Sequence, residues 1–179
     1  MASLIPSGSA SGTGSMTLAA PVTNSNQTAT LPDSTGTVMV RGNMPAFSAY
    51  LSASQTVSSG TNTKIQFNTK LFDTNNCYDN STNYRFTPTV AGYYQVCISL
   101  STNPASTATV ININKNGSAI QSFITQANNG ITCIWNLSYI VSMNGSTDYL
   151  EFYGQCNGTT SFVGGLGNSS VQVAMVRAA

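Results

Sequence analysis

The stretch "FTPTVAGYYQVCISL", residues 86–100, decides the fold. Its first half is a corner, because Pro88 fixes φ and Gly92 tolerates positive φ, so the chain turns before it extends. Beyond the corner the residues alternate. Tyr94, Val96, Ile98 and Leu100 fall on one side of an extended strand, and Tyr93, Gln95, Cys97 and Ser99 on the other. One side is apolar and the other mixed, as in a strand that backs onto a core and fronts solvent or a neighbour.

The same texture runs outward from this point. Short alternating runs predict strands near 46–51, 64–72, 84–87, 91–101, 108–114, 119–125, 131–142, 147–154, 160–164 and 170–177. Turn formers separate them: "SSGTN" at 58–62, "TNNCYDNSTN" at 74–83, "KNG" at 115–117, "NNG" at 128–130 and "MNGST" at 143–147. No stretch keeps a helical period with caps at both ends. About ten evenly spaced strands define an all-β sandwich or jelly roll.

Composition narrows the function. Among 179 residues there are 6 Lys+Arg, 5 Asp+Glu and no histidine, so 6 % of the chain is charged. Ordinary soluble domains carry roughly 25 %. A hydrophobic content of 41 % argues against disorder. No run of about 18 apolar residues is present to span a bilayer. What remains is a β protein covered in Ser, Thr and Asn that sits comfortably against neighbours. Six scattered cations make no basic stripe, so neither nucleic acid nor membrane insertion is expected. The opening "MASLIPSGSASGTG" lacks a basic n-region and an apolar h-region, so no signal peptide is expected.

Residues 1–42 differ from the rest: small, polar and free of aromatics. They read as a β-rich N-terminal arm ahead of a head at 43–179. Within the arm, Met16 and Leu18, then Ala29 and Leu31, then Val38 and Val40 mark short alternating runs, with Pro32 opening the turn after the second. Each run is too short to bury a face alone, so the arm is expected to anchor on its own copies or on a larger partner.

The head resembles a known family. "AFSAYLS" at 46–52, "IQFNTKLFDT" at 65–74, "YD" at 78–79 and "YRFTPTVAGYYQV" at 84–96 follow one another as in the globular head of complement component 1q (C1q). "INKNGSAI" at 113–120 and "SMNGSTDYLEFY" at 142–153 extend the likeness. The resemblance implies a C1q/tumour-necrosis-factor-like jelly roll that associates as a homotrimer around an axis of aromatic and aliphatic strand residues. Phe47, Phe67, Phe72, Tyr94, Ile98 and Phe152 are the candidates for core or trimer interface. The carboxyl end, "TSFVGGLGNSSVQVAMVRAA", departs from the family pattern and leaves the partner of the last strand open. The arm is similar to "P-x-T-N…L-P-D-x-x-G-T" segments of bacteriophage fibre and head-appendage proteins, through Pro21, Thr23, Asn24, Leu31, Pro32, Asp33, Gly36 and Thr37.

Catalysis finds little purchase. Without histidine, Ser-His-Asp and Cys-His arrangements are excluded. A paired-carboxylate hydrolase would have to draw on Asp33, Asp73, Asp79, Asp148 and Glu151, so no enzyme and no cofactor is expected. Calcium has one candidate loop, with Asp73 and Asp79 around Asn75, Asn76 and Asn80; the other reading is a loop tip held by Asx turns. Cys77, Cys97, Cys133 and Cys156 form no CxxC pair. They read either as free thiols or as one disulfide, Cys97 to Cys133. Recognition has two candidate loops, 74–83 and 153–160, where Asn76, Tyr78, Asn80, Tyr153 and Asn157 mix aromatic area with adaptable hydrogen bonds.

The expectation is therefore a non-enzymatic virion protein: a trimeric capsid decoration or head fibre anchored by its arm, its partners being itself and a capsid or tail protein. The alternative is a receptor-binding knob of a tail fibre that meets a host-surface glycan or protein. A free extracellular adhesin would need an export signal.

Overall fold

The computed structural model describes residues 42, 44–103, 108–126 and 133–179. These form thirteen strands: β1 (Ala46–Tyr50), β2 (Gln55–Val57), β3 (Thr63–Lys64), β4 (Thr69–Asp73), β5 (Tyr78–Asp79), β6 (Arg85–Phe86), β7 (Gly92–Thr102), β8 (Ala108–Lys115), β9 (Ser118–Gln126), β10 (Cys133–Met143), β11 (Leu150–Cys156), β12 (Thr160–Phe162) and β13 (Ser170–Ala178). All strand pairings are antiparallel. One sheet of seven strands runs β2-β12-β7-β13-β1-β4, with β10 also paired to β7. We call it the first sheet. The second, of six, runs β5-β6-β11-β8-β9, with β3 also paired to β11.

The core lies between the two sheets, where the apolar sides of their strands meet. Tyr94, Val96, Ile98 and Leu100 of β7 are buried, while Tyr93 and Gln95 are exposed, as the alternation predicts. Aromatic rings bridge the sheets. Phe47 of β1 stacks on Tyr78 of β5 at 4.2 Å and lies 5.1 Å from Phe86 of β6, which meets Tyr94 edge-on at 5.5 Å. Phe67 meets Phe152 edge-on at 6.2 Å. Such pairs contribute about 0.5–1.5 kcal/mol each beyond the area they bury.

Three features differ from the sequence reading. The strand expected over 64–72 is two strands on different sheets. β3 pairs β11 and β4 pairs β1, while Ile65 and Phe67 of the linking segment stay fully buried. The crossing is tied by Ile65 N–H to Phe152 O at 2.8 Å and by the Tyr78 hydroxyl to Phe67 O at 3.1 Å. Two strands are additional: β5 lies inside the 74–83 segment that reads as a turn, and β2 lies between the strand expected over 46–51 and the turn at 58–62. Finally, the partner of the last strand is settled: β13 lies between β7 and β1, with Val171 opposite Ile98 and Ala49.

Register also decides a cysteine question. Cys133 stands opposite Thr102, and Cys97 stands opposite Ser138 with Sγ 3.7 Å from its Oγ. Five residues of extended chain, about 17 Å, separate Cys97 from the position facing Cys133, too far for a disulfide. Cys77 and Cys97 are free thiols.

Candidate functional site

The outward face of the first sheet is set by register. Gln95 stands opposite Ile140 on one side and Ala174 on the other, and Ala174 opposite Ala46. The next row reads Ser138, Cys97, Gln172, Ser48 and Phe72. The row after it reads Asn136, Ser99, Ser170, Tyr50 and Thr69. Directly opposed residues share a face, so these three rows, the first across four strands and the other two across five, hold no formal charge, while the row beyond them, Ser142, Tyr93 and Arg177, holds one. Phe72, Ile140 and Tyr93 expose 50, 55 and 43 % of their surface there, and Val176 at the bulge in β13 exposes 50 %. A face with large apolar side chains and a charge only at its edge, Arg177 opposite Tyr93, can be covered over its central rows without desolvating ions.

The described ion pairs lie off these rows. Lys64 bonds Glu151 at 2.6 Å, Lys70 bonds Asp73 at 3.2 Å and Lys115 bonds Asp148 at 2.8 Å. Lys64 and Glu151 belong to the outward face of the second sheet, where Tyr153 donates its hydroxyl to Glu151 at 3.4 Å. Burial works against the Lys64 charge, but the Glu151 hydrogen bond and charge outweigh it and raise the ammonium above its ordinary value. Asp148 is held below the ordinary carboxyl value by Lys115 first and Asn116 second.

The 74–83 loop folds on two carboxylates. Asp73 accepts the amides of Cys77 and Tyr78 at 2.9 and 3.0 Å. Asp79 accepts the amides of Ser81, Thr82 and Asn83, each at 3.0 Å, together with the Ser81 hydroxyl and the Asn83 side-chain amide. The Thr82 and Ser81 amides, in that order, hold Asp79 far below the ordinary carboxyl range. Both candidate calcium ligands thus serve as turn acceptors. No group of three or more His, Cys, Asp or Glu that could hold a metal occurs among the described residues.

The other singled-out residues separate by burial. Phe47, Phe67, Tyr94, Ile98 and Phe152 are in the core, whereas Phe72 is on the outward face of the first sheet. Tyr78 is not a recognition side chain: it is 2 % exposed, because its ring completes the aromatic stack on Phe47. Burial pushes its hydroxyl well above the ordinary phenol range. Tyr153 is half-buried within strand β11, with the Lys64 ammonium 5.7 Å from its ring centroid. Asn80 turns back to bond Asn68 O at 2.8 Å, while Asn76 and Asn157 are at exposed tips. The arm residues Met16, Leu18, Leu31, Pro32, Val38 and Val40 lie outside the described residues. The sequence reading missed Arg85, which stacks on Tyr149 at 4.8 Å beside a cleft of about 360 Å³. A lone arginine in a two-residue strand carries no spacing signal.

Two antiparallel sheets with this connectivity define a jelly roll. The chain belongs to the C1q domain family, whose pattern matches residues 46–161. Solved structures agree on the fold. The globular domain of zebrafish complement 1qA protein superposes with a TM-score of 0.58 at 14 % identity, covering 75 % of this chain and 99 % of that one. Eiger TNF from S. frugiperda gives 0.61 at 8 % identity, covering 76 and 93 %. The PRD1 vertex protein P5 gives 0.56 at 11 % identity, covering 75 and 97 %. No curated protein matches the chain by sequence.

Proposed function

We propose that this chain is a non-enzymatic virion structural protein, a homotrimeric head fastened to a capsid by residues 1–42 as a decoration or head-fibre subunit. The outward face of the first sheet, uncharged over its central rows, carries the trimer. Three copies that bury this face hide Phe72, Tyr93, Ile140 and Val176 and leave the paired charges of the second sheet in water. The arm supports attachment, through its similarity to phage fibre and head-appendage segments and its short alternating runs, which suit strand addition to a neighbouring sheet. The likeness to PRD1 vertex protein P5 supports a particle setting on this fold.

The test is deletion of residues 1–42. The remaining head is expected to fold and trimerise but to be missing from purified particles, as read by electron microscopy and gel densitometry. A truncated protein that still assembles into particles contradicts the anchoring role. A knob at a tail fibre is the second reading, favoured by the Arg85 cleft, and few copies confined to a tail would select it.

A further inference from the structure

Arg85 stands in an unusual electrostatic position. Each described lysine bonds a carboxylate, yet Arg85 bonds none among the described residues, although Asp79 and Glu151 face it directly in register. Both acids are already committed: Asp79 to five donors of its own loop, Glu151 to Lys64 and Tyr153. The guanidinium instead lies over the Tyr149 ring, which holds its plane while leaving its edge donors unspent.

Arg85 lines the cleft of about 360 Å³ together with Asn76, Asp79, Asn83 and Thr87. The Asn83 side chain gives its amide hydrogens to Asp79 and keeps its carbonyl oxygen as an acceptor. The Asn76 amide and Thr87 hydroxyl have no partner among the described residues. The cleft thus offers one cation with neutral donors and acceptors around it, beside a single carboxylate, Asp79, whose oxygens are taken up by its own loop.

We propose that the cleft binds a single acidic sugar residue, its carboxylate on the Arg85 fork and its ring hydroxyls on Asn76, Asn83 and Thr87. A planar guanidinium matches a carboxylate through two parallel charge-assisted bonds. The Asp79 charge in the same cleft opposes a dianion such as phosphate but tolerates one carboxylate flanked by hydroxyls. The volume, near the lower end of the roughly 300–1,000 Å³ typical of ligand pockets, suits one ring. The inference stands on the cleft alone, so a head that never joins a particle would still show it.

Titration of the full chain with D-glucuronate, D-glucose, acetate and inorganic phosphate, followed by calorimetry and NMR shifts, tests it. Glucuronate is expected to bind about tenfold or more tightly than glucose or acetate, with Arg85→Gln removing that margin while Arg177→Gln keeps it. Equal binding of glucose, acetate or phosphate overturns the proposal, as does an Arg85→Gln protein that binds like the parent. If Arg85→Gln does not fold, Asn76→Gly decides, because glycine accepts the φ of 51° found there and only the amide is lost. Weakened glucuronate binding by that variant supports the site, and unchanged binding overturns it.

Discussion

Tyr94 ties corner, strand and core together. Its ring is fully buried edge-on to Phe86, and its hydroxyl donates to Val90 O at 2.6 Å, closing the corner that Pro88 begins. Tyr94→Ala removes ring packing and leaves the half-buried Val90 carbonyl without its donor, so we expect a loss of about 3 kcal/mol in denaturant unfolding. An unchanged midpoint would contradict the packing. Asp79 and Asp148 make a pH prediction. Both carboxyls are held below their ordinary values in the fold, so the unfolded chain takes up protons first as pH falls. Their contribution is therefore complete above the unfolded pKa of about 4 and is lost as pH drops through the folded values. We expect thermal stability to decline below about pH 4, and Asp79→Asn with Asp148→Asn to flatten that decline. A double variant with the parent's acid limb would show that other groups govern it.

At the scale of elements, β11 and β12 meet through an absent side chain. A Cβ on Gly154 would stand 2.3 Å from the Phe162 ring, which is itself fully buried, so neither can retreat. Gly154→Ala should cost about 1–3 kcal/mol by overpacking, and adding Phe162→Leu should recover part of it. Independent losses in the two variants would argue against this contact. Alternation made most strands legible, because one side of each is buried: β7 and β13 read directly from their apolar residues. The break between β3 and β4 was not legible, since Ile65 and Phe67 keep the alternation while the chain changes sheets. β2 hides because only Val57 of its three residues is buried, and β5 because Tyr78 sits among turn formers. "KNG" was legible for a local reason. Asn116 and Gly117 both take positive φ, 52° and 82°, as a two-residue hairpin turn requires. The Arg85 cleft was not, because strand register alone brings Arg85 to the 74–83 loop.

For the whole molecule, charge distribution is the organising fact. The described ion pairs and the charged 74–83 loop lie away from an outward face whose three central rows carry none. The proposed trimer, which covers that face, accounts for the low overall charge. Ile140→Lys places an ammonium in the row of Gln95 and Ala174, where burial without a partner costs several kcal/mol, so it should break association while leaving each jelly roll folded. The most direct measurement is the solution mass of the intact protein by sedimentation equilibrium, beside that variant. The account predicts three times 18.7 kDa for the parent and a shift toward one chain for Ile140→Lys. A parent that sediments as a single chain, or an Ile140→Lys protein that stays trimeric, would contradict it.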